Sequence, residues 1–87
     1  MITTKDRYIN AIEAEGLTIE STETTVLGVK VIEASRKIGD REIRITCGDN
    51  GTARIDKPNG THKWVYEKSP AQIHAILKQT LEFYTFR

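Results

Sequence analysis

Two four-residue strings, Asp49-Asn50-Gly51-Thr52 and Pro58-Asn59-Gly60-Thr61, constrain the fold of this chain more than any other feature of its sequence. Asn-Gly favours tight turns between antiparallel strands, because both residues tolerate a positive φ. Strand-like residues flank each string, and the strings begin nine residues apart. They therefore predict a β-meander, in which each strand pairs with the next one along the chain.

The composition predicts one globular domain spanning residues 1–87, with 38% hydrophobic and 29% charged residues. Its apolar runs are too short for a membrane span or for the apolar region of a signal peptide. A single cysteine, Cys47, has no partner for an internal disulfide. We therefore expect a cytoplasmic protein. The net charge of +1 disfavours strong non-specific binding to nucleic acid.

Two sequence motifs predict where helices begin. Thr3-Thr4-Lys5-Asp6 reads as a capping box, and the helix it begins runs to about Glu15. Ser69-Pro70-Ala71-Gln72 is a second capping box, with proline at the first helical position. The predicted fold is thus α+β, with an N-terminal helix, an antiparallel meander of four to five strands and a C-terminal helix. Both helices are expected on one face of the sheet.

The first part of the meander is less well defined. Residues 17–21 alternate as a half-buried strand does, while Thr24 and Thr25 are expected in or near a turn. Whether residues 17–24 form a full strand of the sheet is left open by the pattern. Residues 26–37 read as one strand, in which Gly28 marks a bulge. A two-residue loop at Gly39-Asp40 would pair Lys37 with Glu42 and Ala34 with Ile45.

The alternation of apolar and charged residues decides the loop length at the first of the two Asn-Gly turns, which we call the twin turns. A two-residue loop would place Ile45 opposite Asp56, which mixes apolar and charged side chains on one face. A three-residue loop over 49–51 instead pairs Ile45 with Ile55, Cys47 with Ala53 and Arg44 with Asp56. Because cross-strand neighbours share a face, we predict the three-residue loop.

The second twin turn leaves two alternatives. A three-residue loop over 58–60 pairs Arg54 with Trp64 and Asp56 with His62, and turns Trp64 and Tyr66 away from the helices. A four-residue loop over 57–60 reverses the parity and puts Trp64 in the core. Large aromatic side chains in small domains usually serve the core, which favours the second alternative.

A candidate binding site follows from the first alternative, because five side chains would then share the open side of the sheet: Arg44, Arg54, His62, Trp64 and Tyr66. An arginine over Trp64 would give a cation–π contact of ~0.5–1 kcal/mol. Protein interfaces and single-strand nucleic-acid binders both use such sets. Because Glu42 and Asp56 lie in the same patch and repel phosphate, we expect a protein partner, with weak single-stranded nucleic-acid binding as the alternative.

A second surface depends on Gly28. If Leu27, Val29 and Val31 share the open side of the sheet, that side is partly apolar and indicates a partner or a homodimer. A bulge at Gly28 would turn these residues inward instead. The aromatic C-terminal segment, residues 83–87, must likewise be packed within the domain or shared with another chain.

No residue pattern indicates catalysis. Cys47 is expected on the apolar face, away from His62 and His74, and is read as an inert buried thiol. His74 is expected in solvent on the second helix. The histidines and Cys47 lack metal-ligand spacing, and no cofactor motif is present. We therefore expect a non-enzymatic protein-binding domain that regulates or inhibits a larger protein and binds it through its sheet face or an edge strand. Its size and class are compatible with phage-encoded inhibitors of host systems.

Overall fold

The computed structural model of the protein describes residues 2–85. Across these residues the elements are α1 Thr4–Glu13, β1 Thr18–Val26, β2 Val29–Ile38, β3 Arg41–Gly48, β4 Ala53–Asp56, β5 His62–Val65 and α2 Pro70–Thr85. The strands form one antiparallel sheet in the order β1-β2-β3-β4-β5. The predicted α+β class, with a meander between two helices, is confirmed.

Both helices begin at the predicted capping boxes. At α1, Thr3 Oγ1 accepts from the Asp6 backbone N–H at 3.1 Å, and Asp6 Oδ2 accepts from the Thr3 N–H at 3.0 Å. The Thr3 N–H bond to the Asp6 carboxyl, together with the nearby Thr3 hydroxyl, holds the pKa of that carboxyl below its ordinary value. At α2, Ser69 and Gln72 exchange the equivalent bonds, at 3.2 and 2.8 Å. Each capping box thus satisfies two of the four backbone N–H groups that a helix start leaves free.

The first hairpin differs from the prediction. β1 continues through Thr24 and Thr25, which are strand residues and not a turn. The turn is Leu27-Gly28, a two-residue loop that pairs Val26 with Val29. Leu27 has a φ of +51° and Gly28 a φ of +80°, as a type I′ turn requires. Gly28 therefore closes a hairpin and does not mark a bulge within one long strand.

β1 forms one edge of the sheet, and its pairing with β2 is irregular. Its register shifts between Ile19 and Ser21 and again between Ser21 and Thr24. Such irregularities bend and twist a strand and interrupt its row of free backbone groups. The opposite edge, β5, is only four residues long. Neither edge offers a long, flat strand to another chain.

The next two hairpins have the predicted registers. The loop at Gly39-Asp40 pairs Lys37 with Glu42 and Ala34 with Ile45. The three-residue loop over 49–51 pairs Ile45 with Ile55, Cys47 with Ala53 and Arg44 with Asp56. Parity of apolar and charged positions therefore overrides the usual two-residue reading of Asn-Gly at this turn.

The last hairpin also has a three-residue loop, over 58–60, and pairs Arg54 with Trp64 and Asp56 with His62. The alternative that placed Trp64 in the core is wrong. The loop copies the first twin turn: Asn59 Oδ1 accepts from the Thr61 N–H, as Asn50 Oδ1 does from the Thr52 N–H, both at 3.0 Å. The same local sequence thus imposes the same loop length, and with it the same parity.

Gly51 packs against the connection between β5 and α2. Its φ is +84°, and a Cβ atom there would lie 1.9 Å from the Lys68 carbonyl oxygen and 2.7 Å from the Tyr8 hydroxyl. The Lys68 N–H donates to the Gly51 carbonyl at 3.1 Å, and the Tyr8 hydroxyl donates to the Lys68 carbonyl. This contact joins α1, the β3–β4 loop and the start of α2.

One buried cluster contains the inward side chains of the sheet and the buried sides of both helices. Its members are Tyr8, Ile12, Leu17, Ile32, Ala34, Ile43, Ile45, Cys47, Ala53, Ile55, Val65, Ile73, Leu77 and Leu81. Both helices therefore pack on the face of the sheet that bears these side chains. Alternation along the strands sends the remaining side chains to the opposite face, which no described helix covers.

Candidate binding face

We call the side of the sheet away from the helices the open face. Its side chains form rows across the strands, because cross-strand partners share a face. One row contains Ser21, Glu33, Thr46, Arg54 and Trp64, in the order β1 to β5. A neighbouring row runs from Ser35 through Arg44 and Asp56 to His62. The five predicted site residues thus lie together, with Tyr66 next to Trp64.

Arg44 lies among three carboxylates on the open face. Its Nη2 lies 2.8 Å from Glu20 and 3.9 Å from Glu33, and its Nη1 lies 3.5 Å from Glu42. A guanidinium so surrounded is already neutralised and has little charge to offer a phosphate. Its ion pairs connect β3 to β1 and β2 on the solvent side.

Arg54 is also paired. Its Nε donates to Asp56 Oδ1 at 3.0 Å, although Trp64 is its cross-strand partner. The contact that the structure shows for this guanidinium is with the carboxylate, and not the expected one over the indole ring. Both arginines of the predicted site therefore have carboxylate partners within the protein.

Trp64 and Tyr66 present their rings to solvent. Their side chains are 50% and 64% exposed, and the rings stack with centroids 6.4 Å apart and planes 14° apart. Positions i and i+2 of a strand point to the same side, which brings the two rings together. Val65 between them is buried in the core. The two aromatic side chains at the end of β5 and just after it therefore lie outside the core.

The tip of the first hairpin adds residues that the candidate site lacked. Val26 and Val29 are about half exposed, and Leu27 is 99% exposed. Val31 is buried without belonging to the core cluster, because it lies on the open face. The alternative in which a bulge turns Leu27, Val29 and Val31 inward is wrong. The available sequence signal was Leu27-Gly28 between Val26 and Val29, which fits a two-residue X-Gly turn.

A groove of about 490 Å³ connects the hairpin tip to Trp64 across the open face. Its lining includes the small residues Thr46, Gly48 and Thr52, from β3 and the β3–β4 connection. Larger lining side chains come from the first hairpin, including Leu27 and Val31, and from β5, with Trp64. The volume of the groove falls within the range of ligand and anchor pockets.

Cys47 and His74 lie apart from this face. Burial raises the pKa of the Cys47 thiol to about 12, which agrees with an inert thiol. His74 is not simply solvated, because its Nε2 lies 2.7 Å from Glu15 Oε1 and joins α2 to the end of α1. Within residues 2–85, no three His, Cys, Asp or Glu side chains are grouped as a metal site requires.

The C-terminal aromatic segment lies only partly within the described residues. Phe83 and Tyr84 pack edge to face on α2, with centroids 5.0 Å apart. Phe86 and Arg87 lie outside the described residues. In the part of the chain that the structure describes, neither helix has the length and apolar character needed to cross a membrane. No family model, curated protein or solved structure matches this chain.

Proposed function

We propose that the protein is a small cytoplasmic, non-enzymatic domain that binds another protein through its open face, as a regulator or inhibitor of that partner. The observation that supports this is the groove between Leu27 and Trp64, because exposed apolar side chains concentrated on one face mark interaction sites. Tryptophan, tyrosine and arginine dominate the energetics of protein interfaces, and the open face has all three.

The geometry favours the open face over the sheet edges as the contact surface. β1 is interrupted by two register shifts, and β5 is four residues long, so strand addition has little backbone to pair with. The open face has paired charges around an apolar groove. That arrangement resembles a protein interface with an apolar centre and a polar rim.

Capture of the partner with matched variants tests this proposal. The full chain, tagged, is used to isolate binding proteins, and the affinity of the purified partner is then measured for wild type, Leu27→Asn and Trp64→Ala. We expect each groove variant to weaken binding at least ten-fold, as truncation of an interface anchor does. Phe83→Ala, on α2 and outside the groove, is the control and should bind as wild type. Equal affinity for all four proteins would refute the proposal.

A single-strand nucleic-acid binder is the second candidate, and the stacked pair Trp64 and Tyr66 favours it. The carboxylate partners of Arg44 and Arg54 count against it, because phosphate would have to compete with them. Titration with a labelled thymidine oligonucleotide at several salt concentrations tests whether the protein binds single-stranded nucleic acid. Affinity that falls steeply with salt supports this candidate, whereas absent or salt-independent binding rejects it.

A further inference from the structure

We propose that the open face also binds a second copy of this chain, in a symmetric dimer in which Leu27 of each copy occupies the groove of the other. The inference rests on the proposed function, since both use the same face. Partner binding and self-association would then exclude each other. Four observations support a second copy as the occupant.

The first observation is self-complementarity. Leu27, at the hairpin tip, is 99% exposed and lies at one end of the groove on the same face. A two-fold interface is self-complementary, because residue i of one copy meets residue j of the other, and the reverse. A projection and a cavity on one surface satisfy both contacts at once.

The second observation is backbone conformation. Leu27 has a φ of +51°, a region that side chains with a Cβ rarely adopt and that Asn or Gly occupies in most type I′ turns. A leucine there is unfavourable for the turn itself, and its side chain contributes no burial within the monomer. An unfavourable residue at an exposed tip indicates a contact outside the monomer.

The third observation is size. The five strands are four to ten residues long. With a rise of ~3.3 Å per residue and ~4.8 Å between strands, the sheet spans roughly 550 Å² in projection. Because side chains protrude from the sheet, the accessible area of the open face is larger than its projected area. The area is thus of the same order as the ~800 Å² per partner that a stable interface buries.

The fourth observation is charge. Four carboxylates, from Glu20, Glu33, Glu42 and Asp56, share the open face with Lys37, Arg44 and Arg54. The face is therefore close to neutral, and both arginines are already paired. Two copies would meet without the net repulsion that a strongly acidic or basic face would impose.

Sedimentation equilibrium of the full chain, from about 1 μM to about 1 mM, tests the dimer. We expect wild type to pass from 9.9 kDa to twice that mass as concentration rises. Leu27→Asn, and Thr46→Lys in the groove lining, should both remain monomeric across the range. Phe83→Ala should dimerise as wild type does. Over the same range, Trp64 emission of wild type should shift to the blue and become shielded from iodide.

A wild type that stays at 9.9 kDa at about 1 mM would overturn the inference. So would dimers of Leu27→Asn and Thr46→Lys as stable as those of wild type, or a dimer that only Phe83→Ala abolishes, which would place the interface on α2. Partner affinity separates the two proposals. A monomer with Leu27-dependent partner binding refutes only the dimer, and a Leu27-dependent dimer without a groove-dependent partner refutes only the proposed function.

Discussion

At the scale of single residues, two residues other than glycine have a backbone conformation that is unfavourable for side chains with a Cβ. Leu27 and Glu67 have positive φ angles, of +51° and +50°, in a region that is disfavoured by about 1–2 kcal/mol for residues with a Cβ. Glu67 lies in the connection between β5 and α2, and Leu27 lies at the hairpin tip beside the groove. The two positions share a backbone conformation but differ in surroundings.

Replacing each residue by asparagine separates stability from binding. Leu27→Asn and Glu67→Asn should each raise the free energy of unfolding by about 0.5–1 kcal/mol, because asparagine tolerates positive φ better. Urea unfolding measures this gain. Only Leu27→Asn should also weaken association at the open face. A loss of stability in both variants would contradict the reading of these positions as strained.

The Cys47 thiol gives a second residue-scale prediction. Its pKa of about 12 lies three units above the ordinary 9.0, so at pH 9 the native thiolate population should be roughly 10³-fold smaller than in the unfolded chain. Labelling with a thiol reagent at pH 9 should therefore be slow in the native protein and fast in urea. Because the folded pKa is raised, the stability linked to this group is complete below pH 9 and declines as the pH rises towards 12. Fast labelling of the native protein would show Cys47 to be accessible.

At the scale of elements, the twin turns share one backbone device but differ in what they contact. Gly51 and Gly60 have φ angles of +84° and +88°. A Cβ at Gly60 would meet nothing within 4 Å, whereas one at Gly51 would overlap the Lys68 carbonyl. The first turn therefore also packs against the β5–α2 connection, whereas the second makes no such contact at its glycine.

Alanine at the two glycines measures that difference. Gly60→Ala should cost about 1 kcal/mol, the penalty of a left-handed alanine. Gly51→Ala should cost at least about 3 kcal/mol, because the β5–α2 connection must move and lose its hydrogen bonds. Urea unfolding of both variants gives the comparison directly. Equal costs would show that the contact between Gly51 and Lys68 does not contribute to stability.

Element pairing was largely predictable, and its failures have physical causes. Parity decided between the two-residue and the three-residue loop, because a register shifted by one residue places Ile45 opposite the charged Asp56. The turn at Leu27-Gly28 was missed because leucine opposes the propensity of a type I′ turn, so its sequence reads as part of a strand. Trp64 was ambiguous because a tendency of aromatic residues towards cores competed with the geometry of the Asn59-Gly60 turn, and the turn prevailed. The groove depends on the hairpin tip, and so it was not predictable without that turn.

At the scale of the whole molecule, one hydrogen bond closes the chain on itself. The Tyr8 hydroxyl donates to the carbonyl of Lys68, sixty residues later, at the junction of β5 and α2. Tyr8 is otherwise buried in the core, and burial raises the pKa of its hydroxyl above the ordinary value. The bond ties the N-terminal helix to the last strand and to the β3–β4 loop through Gly51.

Removing one hydroxyl tests this link. Tyr8→Phe should lower the free energy of unfolding by about 1 kcal/mol, because the Lys68 carbonyl loses a partly buried donor. In a domain of this size that corresponds to a fall of about 4–8 °C in Tm. Tyr66→Phe, on the exposed open face, is the matched control and should change stability by less than about 0.5 kcal/mol. A Tyr8→Phe variant as stable as the control would show that this hydrogen bond does not contribute to stability.

The two-residue period of the strands has a consequence for how such a protein can vary. Folding free energy comes from the inward positions, while the groove is shaped by alternate positions such as Thr46 and Thr52, whose side chains do not enter the core cluster. Exchanges at these outward positions would change the shape of the open face at a cost of a few tenths of a kcal/mol. The surface of this side of the sheet can therefore vary while the architecture is kept.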